Sequence, residues 1–225
     1  MGLVMELLVC GGIAGLLVHC LKTRGKEYAA RIFGIGYVMG LVMENSGVIQ
    51  GSYTEWGYVL YFPGSLVPVV TQLGWILVSY VTMSMAEVIF KAWPSLNKHL
   101  VVAAIITSLI ATCWDVVLDP FQVYFGNWVW TAGAWGPRGF GWLGIPIINW
   151  LAWFFCIFGW ALCTYWIDKK EAWSPKKRVG MQAVAVFLTA LILVAGVELS
   201  FVVLEGTWVP IWNPPVIPPG HPWYP

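Results

Sequence analysis

Long apolar runs separated by short polar segments set the hydropathy pattern of the chain. A hydrocarbon core about 30 Å thick needs about 20 apolar residues per helix, and several runs reach that length. They extend over residues 2–21, 31–50, 65–90, 100–118, 143–167 and 179–204. The pattern predicts an all-α integral membrane protein of about six transmembrane helices, with one helical domain over residues 1–208 and a proline- and aromatic-rich tail over residues 209–225.

The composition supports a chain with almost no soluble part. Of the 225 residues, 59% are hydrophobic and only 10% are charged, and 16 are tryptophan. A soluble protein of this size needs a charged surface that this chain does not have. The formal net charge of +1 gives no reason to expect nucleic acid as a partner.

Basic residues alternate from one predicted connection to the next. Of the 12 Lys and Arg residues, all except Arg138 lie in three connections, at residues 22–31, 91–98 and 169–178. Lys and Arg collect in cytoplasmic loops, so these connections are predicted to be cytoplasmic. Both termini and the loop 119–142 are then predicted on the outer side of a cell membrane that the chain crosses several times.

Cysteine and histidine give no sign of a metal site. The five cysteines lie within apolar runs, without a CxxC pair or metal-ligand spacing. His19 is the only histidine in a predicted helix, so a haem held by two intramembrane histidines is not expected. The sequence therefore predicts neither a metal nor a haem.

Acidic residues within or at the ends of the apolar runs are the most informative positions. They are Glu44, Glu87, Asp115, Asp119 and Glu198. A charge in hydrocarbon is costly, so an intramembrane acid indicates a functional site by default. No Lys or Arg lies at comparable depth, and these acids must be protonated, hydrogen-bonded or bound to a cation. Glu87 differs, because it is predicted near the cytoplasmic end, where it can reach water or Lys91.

Three of these acids are predicted at similar depth in the outer half of the membrane, on three different helices: Glu44, Asp115 and Glu198. Asp119 follows Asp115 by one helical turn, which sets both carboxyl groups on one face if the helix reaches Asp119. Pro120 is expected to end that helix. The alternative is that these acids are interhelical hydrogen-bonding groups without a chemical role.

Two pairs of glycines predict close contacts between helices. Gly11 and Gly15, and also Gly36 and Gly40, have the spacing of small residues that lets helix backbones approach closely in membranes.

Aromatic residues crowd the same predicted side of the membrane. WVWTAGAW at 128–135 is followed by GWLGIPIINWLAW at 141–153, where Gly, Pro and Asn interrupt an apolar entry into a helix. Irregular backbone at this depth requires a covering of protein or a cavity, so we predict a cavity here. A buried carboxylic acid can protonate an isoprenoid alkene, indole faces can stabilise the cation, and a second carboxylate can deliver water. The same cavity could instead hold a pigment or a lipid.

Three segments carry a resemblance to a known family: ENSGVIQGSY at 44–53, DVVLDP at 115–120 with WVW at 128–130, and GIPIINWLAW at 144–153. In their order and spacing they resemble the membrane carotenoid biosynthesis proteins, which include carotenoid hydratases of the bisanhydrobacterioruberin hydratase and gamma-carotene 1',2'-hydratase type. The resemblance implies hydration of a terminal isoprenoid double bond at an acyclic carotenoid end, without a redox cofactor. A carotenoid or another isoprenoid lipid is therefore the expected partner.

Position and chemistry select the candidate site residues. The candidate catalytic residues are Glu44, Asp115, Asp119 and Asn149. The candidate substrate-binding residues are Tyr53, Trp114, Trp128, Trp130, Pro146, Trp153 and Glu198.

Two other functions compete with the hydratase. One is a non-catalytic pigment- or lipid-binding subunit of a larger membrane complex, which would contact the tail at residues 209–225. The other is a transporter or proton channel, which is less favoured because the acids do not continue to the cytoplasmic side as a relay requires.

Overall fold

Helices dominate the computed structural model, which describes residues 3–49, 52–55, 57–125, 127–130, 141–142 and 145–205. Among these described residues, six helical spans are long and apolar enough to cross a membrane. They are Glu6–Thr23, Gly25–Ile49, Val69–Ala92, Leu100–Tyr124, Ile147–Asp168 and Pro175–Ser200. The prediction of an all-α membrane protein with about six transmembrane helices is therefore confirmed. The tail at residues 209–225 lies outside the described residues.

The helices are α1 (Leu3–Thr23), α2 (Gly25–Ala29), α3 (Gly36–Ile49), α4 (Val69–Ala92), α5 (Leu100–Tyr124), α6 (Ile147–Asp168) and α7 (Pro175–Glu205). A π-helical segment, Ala30–Ile35, joins α2 to α3 into one continuous second span, and a short 3₁₀ helix, Pro94–Asn97, follows α4. Four short strands are β1 (Tyr53–Glu55), β2 (Trp128–Trp130), β3 (Gly141–Trp142) and β4 (Ile145–Pro146).

The spans form a closed ring with one helix outside it. The second span packs on α4, α4 on α5, α5 on α6 and α6 on α7, and α7 returns to the second span. The most extensive packing is that of α6 against α5 and α7. Helix α1 lies outside this ring against α4, and its membrane window is the least buried of the spans. The ring therefore surrounds the interior without α1.

The three basic connections meet at one end of the bundle, called here the basic end. Arg31 is 1% exposed and forms ion pairs with Glu27 and with Asp168, each at 2.5 Å. Arg178 lies 3.5 Å from the other Glu27 oxygen. These contacts join the second span to α6 and α7, and they allow charged residues to lie within helices there.

Two predictions for the basic end are wrong. The second helix begins at Gly25, not at Arg31, because Glu27 and Asp168 neutralise the arginine and remove the cost of including it in the helix. Glu87 pairs with Arg24, not with Lys91, because the turn between α1 and α2 brings that guanidinium beside α4.

The other end, called here the loop end, is built from the short strands and an anchored loop. Strand β1 pairs antiparallel with β2, with Tyr53 opposite Trp130, and β3 pairs with β4. Glu6 of α1 accepts hydrogen bonds from the backbone N–H groups of Val59 at 2.7 Å and Leu60 at 2.9 Å. A buried carboxylate thus ties the loop before α4 to the helix outside the ring.

Three prolines lie at or near helix ends at the loop end, and they differ in their effect on the helix. Pro68 and Pro146 adopt extended conformations immediately before α4 and α6. Pro120 lies inside α5, which continues to Tyr124, so the prediction that Pro120 ends the helix is wrong. Proline removes one backbone donor, but the last turn still closes through the Phe125 N–H bond to the Phe121 carbonyl at 2.9 Å.

The glycine pairs differ from each other. A Cβ at Gly40 would lie 2.6 Å from the Gln72 carbonyl oxygen, so α3 and α4 approach closely at this point, as predicted. At Gly11 and Gly15 no atom of the described chain lies within 4 Å of such a Cβ, and the prediction of a close contact within the chain is wrong there. Both glycines lie on an exposed face of α1.

Candidate active site in the helical ring

A cavity of about 100 Å³ lies within the ring near the loop end. All five ring spans contribute to its wall, together with residues 52–53 and Trp130. Its lining residues are Met43, Glu44, Gly47, Ser52, Tyr53, Trp75, Asp119, Trp130, Ile148, Asn149, Ala152, Trp153, Cys156, Leu193 and Val197. The wall is therefore mostly apolar and aromatic, with a few polar groups.

Glu44 projects from the last turns of α3, and each of its carboxyl oxygens accepts a hydrogen bond. The Tyr53 hydroxyl donates to one carboxyl oxygen, and the Trp75 indole N–H donates to the other. Gly47 makes room for Tyr53, because a Cβ there would lie 2.7 Å from the tyrosine ring. Each oxygen of this buried carboxyl group thus has its own donor.

Asp115 and Asp119 share a single donor. They lie one turn apart on α5, and the Asn149 side-chain N–H₂ donates to Asp115 Oδ2 at 2.8 Å and to Asp119 Oδ2 at 2.5 Å. Both acids are at most 2% exposed. The shared donor brings the two carboxyl groups close together on the buried side of α5. Asp115 Oδ1 has no donor among the described residues.

No basic side chain among the described residues lines the cavity. In the same part of the chain, no group of three or more His, Cys, Asp and Glu side chains is arranged to hold a metal ion. Glu44 and Asp119 therefore face a largely apolar space without a basic partner among the described residues.

Two aromatic pairs form much of the wall. Trp75 and Trp153 stack with ring centroids 4.4 Å apart and an interplanar angle of 14°. Tyr53 and Trp130 lie 5.2 Å apart at 59°. The first pair joins α4 to α6, and the second joins β1 to β2, so the aromatic wall also holds the elements together.

Most of the residues singled out from the sequence converge on this cavity. Glu44, Asp119, Asn149, Tyr53, Trp130 and Trp153 line it, and Asp115 lies directly behind Asp119 and Asn149. Trp114, Pro146 and Glu198 do not line it. Trp114 precedes Asp115 on α5 and projects in a different direction, whereas Pro146 serves to start α6. The side chain of Trp128 lies outside the described part of the structure.

Sequence reasoning missed Glu55, which lies in β1 and is 5% exposed. Thr71 donates to one of its oxygens at 2.7 Å. Burial raises the pKa of Glu55 well above its usual range, and the neighbouring charge of Glu44 adds to this effect. The residue was missed because a carboxylate in a connecting loop is ordinarily solvated. Ser52 was missed because a serine in a connecting loop is also ordinarily solvated.

The fold and the cavity define a polytopic membrane protein with carboxyl groups in an aromatic pocket between its helices. Residues 3–214 match the family model described as carotenoid biosynthesis protein, and the chain therefore belongs to that family. The resemblance seen in the three sequence segments is thereby confirmed, and the chain has a role in carotenoid biosynthesis at a membrane. No curated protein and no solved structure matches the chain.

Proposed function

We propose that the protein is a carotenoid hydratase that adds water to a terminal isoprenoid double bond of an acyclic carotenoid end. The observation that carries this proposal is that Asp119 and Glu44 line one aromatic cavity with different hydrogen-bond environments and without a basic residue in the described wall. Hydration of an alkene needs both an acid and a base, and these two carboxyl groups meet that need.

The size of the cavity suits the end of a carotenoid. A cavity of about 150 Å³ holds benzene, so about 100 Å³ accommodates a terminal group of a few carbons and not a whole polyene. The remainder of the chain extends out of the cavity toward the hydrocarbon of the membrane. This arrangement favours reaction at the terminal double bond.

The aspartate pair is the proposed acid. Two adjacent carboxylates in a site of low dielectric cannot both carry a charge at low cost, so the pair retains one proton. Asp119 lines the cavity and transfers this proton to the less substituted alkene carbon, while Asp115 supports it from behind. Asn149 holds both groups in position through its two N–H bonds.

Glu44 is the proposed base. Hydrogen bonds from Tyr53 and Trp75 to its two oxygens stabilise the carboxylate form. The tertiary cation left by protonation is stabilised by this charge and by the indole faces of Trp75, Trp130 and Trp153. Water then attacks the cation and gives a proton to Glu44. The product is a tertiary alcohol, and the proton returns from Glu44 to the aspartate pair.

The test is expression in cells that accumulate lycopene, followed by mass analysis of the extracted pigment. We expect the wild-type chain to add one or two waters and Asp119→Asn to lower product formation at least a hundredfold, since general acid catalysis contributes about 10²–10⁴-fold. Glu198→Gln is the matched control, because Glu198 is a buried acid that does not line the cavity. Unchanged pigment with folded wild-type protein would contradict the proposal.

A second candidate function is a non-catalytic pigment- or lipid-binding subunit of a larger membrane complex. The apolar side of the cavity favours it, because Met43, Ile148, Leu193 and Val197 could hold a terminal hydrocarbon group without chemistry. Purification in mild detergent distinguishes the two candidates. Co-purifying chains of fixed stoichiometry, together with unchanged pigment, would support the subunit.

A further inference from the structure

Two polar atoms in the cavity wall have no hydrogen-bond partner among the described residues. They are the Ser52 hydroxyl oxygen and the Trp130 indole nitrogen, and both residues line the cavity. Ser52 is 3% exposed. Glu44, Asp119 and Asn149 of the same wall are, in contrast, hydrogen-bonded within the protein. The unpartnered atoms are therefore a distinct feature of this wall.

The two atoms belong to residues in or next to the paired strands β1 and β2 at the loop end of the cavity. Ser52 immediately precedes β1, and Tyr53 of β1 is opposite Trp130 of β2. Tyr53 also donates to Glu44, so the strand pair brings both atoms to the side of the cavity where the proposed base lies. Leaving a buried polar group unpaired costs about 1–3 kcal/mol, which a ligand with matching polar atoms would offset.

We infer that the Ser52 hydroxyl and the Trp130 indole N–H bind the water molecule that is added to the substrate, and afterwards the new hydroxyl group. This inference rests on the proposed function. An indole N–H only donates and a hydroxyl both donates and accepts, so together they can hold a water oxygen and one of its hydrogens. The second hydrogen of the water then points to Glu44, and the remaining lone pair of the water oxygen is free to attack the cation.

Neither atom is exposed to solvent in this structure, and each belongs to a residue that lines the cavity. A buried water needs two to four polar partners, and Ser52, Trp130 and Glu44 supply three. The rest of the wall is largely apolar, so the position of the water is well defined.

The chemical step gives this site a measurable role. After Asp119 protonates the alkene, the cation either gains the water oxygen, with a proton passing to Glu44, or loses a proton and becomes an alkene again. In D₂O the second route leaves deuterium in the recovered substrate. The ratio of hydrated product to deuterated substrate therefore reports how well the water is held.

The experiment compares Ser52→Ala and Trp130→Phe with the wild-type chain in D₂O, using membranes that contain an acyclic carotenoid. We expect each variant to lower hydrated product about tenfold, the effect of one lost hydrogen bond of ordinary strength, while deuterium still enters the recovered substrate. Ser52→Thr keeps the hydroxyl and should restore the product. Ser46→Ala and Trp93→Phe are matched controls outside the cavity.

Each result decides between the two ideas. Unchanged product-to-deuterium ratios in Ser52→Ala and Trp130→Phe would overturn the water site and leave the hydratase proposal standing. Loss of both product and deuterium in folded variants would also overturn it, because the residues would then serve protonation. A folded wild-type chain that yields neither hydrated nor deuterated carotenoid would overturn the hydratase proposal and this inference with it.

Discussion

Hydrogen-bond donors distinguish the carboxyl groups of the cavity at the scale of single residues. Glu44 has a donor on each oxygen, whereas Asp115 and Asp119 share the side chain of Asn149. Donors favour the charged form, which supports the proposed assignment of Glu44 as the base and of the aspartate pair as the acid.

Glu55 leads to a prediction about pH. Its pKa is raised in the folded protein by burial first and by Glu44 second, above the ordinary value of 4.5. Below both pKa values the carboxyl is protonated in both states and contributes no pH dependence. As the pH rises above about 4.5, the unfolded chain loses the proton while the folded chain keeps it, so stability falls until the pH passes the folded-state pKa.

We expect Glu55→Gln to raise the unfolding temperature at neutral and alkaline pH and to flatten its decline with pH. Thermal unfolding of the purified protein in detergent between pH 4 and pH 9 measures both effects, and the variant and the wild type should converge at the acid end of the series. Glu171→Gln is a suitable control because Glu171 is exposed at the basic end. Identical curves for Glu55→Gln and the wild type would contradict the prediction.

Helix boundaries show what the sequence can and cannot predict at the scale of elements. Hydropathy located every span because apolar length is a local property. It placed the start of the second helix at residue 31, six residues late, because one of the two carboxylates that neutralise Arg31 is Asp168, 137 residues away in the chain. The cost of placing an acid in the membrane identified Glu44, Asp115 and Asp119 from the sequence. Ser52 and Glu55 lie in a connection between helices, and their burial is seen only in the folded structure.

The contact between α3 and α4 gives a second prediction. Gly40→Ala places a methyl group 2.6 Å from the Gln72 carbonyl oxygen, and this backbone atom cannot move without displacing α4. Overpacking of this kind costs about 1–3 kcal/mol, so we expect a lower unfolding temperature in detergent. Gly11→Ala is the control, since no described atom lies within 4 Å of the added methyl group. Equal unfolding temperatures for the two variants would contradict this account of the contact.

The whole molecule is held at its basic end by charges and at its loop end by the cavity wall. Arg31 joins the second span to α6 through Asp168, and Gln182 of α7 lies within 3.4 Å of the same guanidinium. Removing one member of a buried ion pair costs about 3–5 kcal/mol, at the lower end here because Asp168 is partly exposed. Arg31 therefore contacts both α6 and α7 from the second span at this end of the ring.

We expect Arg31→Met to lower the unfolding temperature and the yield of folded protein. Asp168→Asn in the same chain should recover part of the loss, because it removes the carboxylate that the first change leaves unpaired. Thermal unfolding of the single and double variants forms a mutant cycle that measures the coupling. Additive losses in the double variant would show that the pair does not contribute as described.

The closed ring also sets an order of events during synthesis. Helix α1 enters the membrane before α4 exists, and Glu6 gains its backbone partners only when residues 59 and 60 have emerged. Leu193 and Val197 of α7 complete the cavity wall, so a nascent chain that lacks the last helix has an open trough in place of the cavity. The acids are therefore surrounded by all five ring spans only after translation has delivered the last span.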